Sequence, residues 1–432
     1  MAKSSSATET AASLLRFIND SPTPYHAVEA AASRLSSSGL PELRLDRRWD
    51  ESGSRGFVRV GDGALAGFDL GDWKPNDGIT VLAAHTDSPA LRVREQGVGW
   101  RKGCLCLPTE LYGGPIRATW IDRELGIAGR IAMADGSVRL VRLDETAIIP
   151  NLAIHLNRKV NEGFEYNAQD HLVALVAVDP EAPDGKAVGL MKERIADSLG
   201  TDAASIAEVE LLLFDAAPGA FLGHDRSLYA SSRIDNLAGC FTSLEAFLRA
   251  ESGSPRLLML YNHEEVGSQS GEGAQSGLLS MILRRLVTAA GGDEQDLEIV
   301  LARSTVLSND AAHAIHPSFK DKHDPDYAPL LGGGPVLKLN GMYRYATTAA
   351  GAAGFSRACA RAGVPMQRMS NRSDLPSGST VGPVTWARTG IATVDVGIPI
   401  FAMHSIRETG GSADAESMIR ALARFCERAD EA

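Results

Sequence analysis

Three things are scarce in this 432-residue sequence, and each scarcity removes a class of function. The first is long apolar runs. No stretch approaches the ~20 residues a membrane-spanning helix needs, so no membrane partner is expected. The opening, Met1 to Ala12, is polar and rich in Ser and Thr, without the apolar centre of a secretory signal. Cysteine is the second: Cys104, Cys106, Cys240, Cys359 and Cys426 are odd in number, scattered, and too few to staple a chain of this length. Only Cys104 and Cys106 lie close, and they lack the second pair of a zinc knuckle. Idle thiols suit a reducing compartment, and a cytoplasmic location is expected. The third is basic charge. Lys and Arg total 43 against 54 Asp and Glu, a formal net charge of −11. A nucleic-acid binder usually presents a basic face, so no nucleic-acid partner is expected. Two catalytic signatures are missing as well. No Gly-x-Ser-x-Gly elbow supports a serine hydrolase, and Gly332-Gly333-Gly334-Pro335 lacks the Lys-Ser/Thr of a phosphate loop.

What is present is an ordinary globular composition, 22% charged and 44% hydrophobic, with chain enough for two or three domains. Helical periodicity predicts helices over 11–19 and 25–35, and short strands over 56–60, 64–70 and 79–84 follow. From about 94 to 223 the texture changes to short β-type runs, including 118–121, 126–133, 137–143 and 172–178, with one helical stretch near 191–198. Alternation of strand and helix returns after about 227. Strands are predicted at 256–261, 299–306, 336–339, 366–369 and 391–396, and helices at 277–290, 348–362, 380–388 and 415–428. This pattern implies an α/β fold, a mainly parallel sheet sandwiched by helices, carrying an inserted β-rich domain.

Residues with ligand chemistry gather where predicted strands end, the usual place for sites in open α/β sheets. The strand before His85-Thr86-Asp87 ends on a histidine, and Asp87 is a natural partner for its second ring nitrogen. Asp235, in Arg233-Ile234-Asp235-Asn236, reads either as a bridging carboxylate or as a helix cap. Two adjacent acids, Glu264 and Glu265, follow an apolar strand, where unneutralised charge is costly. Neighbouring side chains on extended backbone diverge, so one can bind metal while the other faces a reacting water. Asp310, His313 and His316 follow another strand, and His404 another. Each motif alone is weak. Two histidines with three carboxylates make a mixed-ligand set suited to paired zinc, with manganese or cobalt possible in one site.

With these motifs in order along nearly the whole chain, the sequence resembles the M18 family of metalloaminopeptidases, the aspartyl aminopeptidase group. The resemblance implies a zinc-peptidase-type catalytic domain over 1–93 and 224–432, and a dimerisation or lid domain over 94–223. It implies two zinc ions per chain held by His85, Asp235, Glu265, Asp310 and His404, with Asp235 bridging. His85 and Asp310 would share one ion, Glu265 and His404 the other. It implies Glu264 as general base, Asp87 as orienting partner of His85, and substrate contacts from His155, Lys338 and Tyr345. His155 would reach a neighbouring subunit's site, since family members form dimers and a tetrahedral dodecamer. His263, His313 and His316 then take structural roles. The implied activity is release of N-terminal Asp or Glu from peptides. The rivals are a neutral, leucine-type aminopeptidase or another dinuclear hydrolase and, from another class, a catalytically dead cage-forming scaffold.

Overall fold

The computed structural model describes residues 2–49, 53–251 and 253–427. They fall into two compact units. One runs to Asp87, resumes over Gly219–Met403 and continues from Glu408. The other comprises Ser88–Pro218 together with the tetrapeptide His404–Arg407.

In the first unit, a nine-stranded sheet runs in the order Glu42–Leu43, Arg55–Val60, Ala64–Asp69, Arg256–Tyr261, Thr80–His85, Thr305–Asn309, Ala392–Gly397, Val336–Lys338, Gln367–Met369. The central four strands are mutually parallel, and antiparallel pairs flank them. Their side chains alternate between two cores. Leu82, Leu258 and Leu260 join one cluster with Leu14, Val28, Phe241, Phe355 and Leu422; Val81, Ala83, Leu257 and Met259 join another with Ile282, Leu286, Val300 and Val381. Helices therefore cover both faces, and the central strands are apolar on both sides, as burial of both faces demands. A five-stranded sheet in the same unit includes Leu228–Ser231, Glu408–Gly411 and Pro399–Phe401.

The second unit is a wholly antiparallel sheet assembly built on Cys104–Tyr112, Leu125–Met133, Val138–Ala147 and Ile206–Asp215. Its own core includes Leu91, Leu107, Ile127 and Leu213. Ile406 belongs to that core, and Arg407 donates to Asp215 Oδ2 at 2.9 Å, which is why the short 404–407 segment groups here.

Two predicted strands are corrected. Residues 299–306 read as β-branched, yet Glu294–Arg303 is helical and the strand begins at Thr305. A capping box overrides propensity: Asp293 accepts from the Asp296 amide while Asp296 accepts from the Asp293 amide. Leu297 and Val300 then share one buried face. Residues 118–121 were also predicted as a strand, but Arg117–Trp120 is a 3-10 turn, closed by the Thr119 amide and hydroxyl on the Ile116 carbonyl.

Candidate metal and catalytic site

Parallel register brings the strand-end motifs together. His85 pairs with Tyr261 across neighbouring strands, and Ala83 with Ser308. The residues just beyond those strands, Glu264 and Glu265 on one and Asp310 on the other, therefore emerge beside His85.

His85 is 1% exposed. Its Nδ1 lies 3.0 Å from the Asp87 carbonyl oxygen and 3.4 Å from Asp87 Oδ1, so this nitrogen carries the proton and donates. Asp87 is itself held by the amides of Glu264 and Glu265, each donating to one carboxylate oxygen at 3.1 Å. One carboxylate thus orients the histidine and the turn bearing both glutamates. In the neutral ring Nε2 then keeps the lone pair that a cation needs; it lies 3.5 Å from Asp310 Oδ1 and 3.6 Å from Asp235 Oδ1. These spacings are long for hydrogen bonds. They lie just above the separation of about 3.3–3.4 Å between two ligands on a tetrahedral ion with ~2.0–2.1 Å bonds.

Ligand atoms of His85, Asp235 and Asp310 lie within 4.8 Å of one another, as do those of His85, Glu264 and Glu265. The two sets share His85. A cluster of acids, Asp235 and Asp310 buried and Glu264 and Glu265 half-buried, calls for positive charge. Burial opposes protonation of His85, but the Asp310 and Asp87 carboxylates beside its ring and the negative charge of Glu264 outweigh it and raise its pKa well above the ordinary range. Burial pushes Glu264 up to about 7; His85 pulls it down, while Asp310, Asp87 and Asp235 push it further up. Donor chemistry, spacing and the concentration of negative charge all fit a divalent cation of the zinc type.

Asp235 precedes the regular part of the Ile234–Arg249 helix. The cap is provided instead by Asn236, whose Oδ1 accepts from the Gly239 amide at 3.2 Å. That leaves the buried Asp235 carboxylate to the cluster. Its amide donates to Glu408 Oε2 at 3.0 Å.

Lys338 is 2% exposed, with Nζ 3.3 Å from Asp310 Oδ2 and 5.3 Å from the Tyr345 ring centroid. Burial alone would raise Asp310, but Lys338 and His85 outweigh it and hold that carboxyl well below the usual range. Tyr345 is buried with Ala312, Val336 and Met369. His155 and His404 belong to the second unit. His155 sits in an exposed turn. His404 has a φ of +66°; its Nδ1 donates to the Gly114 carbonyl at 3.0 Å, which makes Nε2 its lone-pair nitrogen. The three other histidines of the sequence motifs are engaged locally. His263 Nδ1 lies 2.7 Å from Ser270 Oγ, the His313 amide donates to Met369 Sδ, and the His316 ring packs on Phe319 and Phe401.

Comparison with known proteins identifies the family. Residues 17–426 match the family model described as aminopeptidase I zinc metalloprotease (M18). A probable M18 family aminopeptidase 2 of Stutzerimonas stutzeri (strain A1501) is 40% identical over 430 residues, covering 96% of this chain and 98% of that one. Among solved structures, the chain is similar to one from a cryo-EM structure of an Ape4 and Nbr1 complex, with a TM-score of 0.91, 34% identity, and 98% and 86% of the two chains covered. It is similar also to Chaetomium thermophilum mApe1, with a TM-score of 0.87, 27% identity and 98% of both chains covered.

Proposed function

Because the chain belongs to the M18 family of zinc aminopeptidases, we propose that it releases the N-terminal residue, preferentially Asp or Glu, from peptides at a dinuclear zinc site with Glu264 as general base. The observation that carries this reading is the pair of ligand sets sharing His85, with Glu264 in one of them. His85 and Asp310 would hold one ion, Glu265 and His404 the other, with Asp235 between; manganese or cobalt is possible in one position. Bound zinc supplies Lewis-acid polarisation of the scissile carbonyl and lowers the pKa of an attacking water.

The protein's own groups perform the rest. Glu264, half-buried and with a pKa raised to about 7, takes the water's proton and returns it to the departing amine. Its neighbour Glu265, on the same 3-10 turn and with a ligand atom within 4.8 Å of those of Glu264 and His85, is assigned to the metal instead. Asp87 keeps His85 in one tautomer throughout. The surrounding acids favour the ammonium group of a free N-terminus, which restricts cleavage to the first residue. Lys338 and Tyr345 are assigned to the substrate side chain, and His155 to a neighbouring subunit's site.

We further propose self-association to dimers and a tetrahedral dodecamer, in the cytoplasm. Leu152, Ile154 and Leu156, exposed around His155, supply an apolar surface for such contact. Among the described residues no helix is long and apolar enough to cross a membrane.

One observation favours a second reading, a preference for neutral N-terminal residues: the Lys338 ammonium is already committed to Asp310. Peptides beginning with Asp, Glu and Leu, free or N-acetylated, separate the two. We expect Glu264→Gln to keep its bound zinc while kcat falls ~10²–10⁴-fold. Near-unchanged kcat would remove Glu264 from the role of base, and an inert wild-type protein with full zinc would favour the scaffold.

A further inference from the structure

The Glu264–Glu265 turn is held from one side by Asp87 and approached from the other by Glu272, whose carboxylate accepts from Asn262 and Asp62. Asn262, fully buried, ends the approach to this turn. Its amide donates to the Glu272 carbonyl at 3.0 Å, and its Nδ2 donates to Glu272 Oε2 at 2.7 Å. Its Oδ1 accepts from the His263 amide at 2.9 Å. His263 then adopts a left-handed φ of +62°, which redirects the chain so that Glu264 and Glu265 point their amides at Asp87. Such a conformation costs energy in a non-glycine residue and persists where surroundings impose it.

Glu272 supplies those surroundings. Its Oε1 also accepts from the Asp62 amide at 3.2 Å, in the hairpin turn Gly61-Asp62-Gly63. A Cβ on Gly63 would lie 2.0 Å from Asn262 Nδ2 and 2.5 Å from Glu272 Oε2, so the turn has glycine where this pair sits. The same turn is tied to the metal-ligand strand, because Thr86 Oγ1 donates to the Gly63 carbonyl at 2.6 Å.

We infer that Glu272 is a positioning residue for the catalytic turn, acting through Asn262. The inference rests on the proposed role of the Glu264–Glu265 turn and concerns where those carboxylates point. In bonding terms Glu272 offers two acceptors to two donors, Asn262 Nδ2 and the Asp62 amide. Glu272→Gln removes one acceptor and leaves one donor unmet. Asn262→Asp removes the donor and sets two carboxylates against each other. The double variant exchanges donor and acceptor, so the introduced amide donates to the introduced carboxylate and still accepts from the Asp62 amide.

The test is this double-mutant cycle, read on kcat, KM, zinc content and thermal midpoint, with Glu264→Gln alongside. Each single variant is expected to lower kcat on the order of 10- to 100-fold through misplacement of the base, with KM within about 2-fold and zinc unchanged. The double variant is expected to return most of that loss. A double variant no better than the two losses combined overturns the inference. So do losses that follow zinc content or folding alone, and so does failure of the single or double variants to fold, since each assigns the pair to stability. Glu264→Gln with unchanged kcat would instead reject Glu264 as base. The cycle still decides Glu272, because the turn carries Glu265 too.

Discussion

Lys338 holds its charge where water hardly reaches, and depends on Asp310 for it, whereas half-buried Glu264 is pushed toward its neutral form. Lys338 is the sharper case. A buried ion pair broken on one side typically costs ~3–5 kcal/mol, because the remaining charge is stranded. Lys338→Met is therefore expected to destabilise the metal-free protein and to leave Asp310 harder to ionise. If the ammonium also meets the substrate, kcat/KM for Asp- and Glu-initiated peptides should fall ~10-fold or more beyond the loss for Leu-initiated ones. Equal losses across the three substrates, measured with zinc content held full, would restrict Lys338 to serving Asp310. At this scale the residue types at the strand ends were legible in sequence, because histidine and paired acids after an apolar run have few cheap explanations. Which donor meets which acceptor was not legible. Asn236 rather than Asp235 caps the helix, and Glu272 carries no local pattern that marks it, since its partners Asn262 and Asp62 come from separate turns.

Elements show the same division between local and distant causes. Most strands and helices were readable from apolar periodicity. The 299–306 run failed because β-branched residues suggested a strand where a capping box and a buried face dictated a helix. A second element-scale device involves the final helix, Asp414–Cys426. Asp414 is fully buried and accepts from the Gly332 and Gly334 amides at 2.8 and 2.9 Å, tying the glycine-rich loop to the helix start. Burial pushes its carboxyl up to about 7, against the pull of those two hydrogen bonds. The folded-state value thus lies above the unfolded one. The corresponding stability is fully present below about 4, and it is lost as pH rises from there through about 7. Between pH 6 and pH 8 the wild-type protein should lose about 1 kcal/mol more stability than Asp414→Asn. Chemical unfolding of both proteins at the two pH values measures the difference, and parallel losses would refute it.

For the whole molecule, the net charge of −11 acts against acidic substrates at a distance, whatever the pocket does nearby. The Debye length shrinks from about 30 Å at 0.01 M salt to about 10 Å at 0.1 M. Added salt should therefore raise kcat/KM for Asp-initiated peptides relative to Leu-initiated ones, until it begins to weaken the pocket itself. Steady-state kinetics over that range checks the direction; a ratio that falls from the lowest salt upward would place the governing electrostatics in the pocket alone.

Sequence by itself determined the chemistry on offer and its order: His85 and Asp87, Asp235, Glu264 and Glu265, Asp310 and His404, each tied to a strand end or loop by apolar patterning, with a β-rich insertion between the first two motifs. Only the tertiary structure decided their company. Parallel register put Asp310 and the two glutamates beside His85. Burial turned Lys338 from a strand lysine into the partner of Asp310. Packing of Ile406 and the Arg407–Asp215 pair grouped His404 with the inserted unit. The reason is physical. Periodicity reports which face a residue buries, whereas hydrogen bonds and ion pairs between residues far apart in the chain exist only once the sheets have formed.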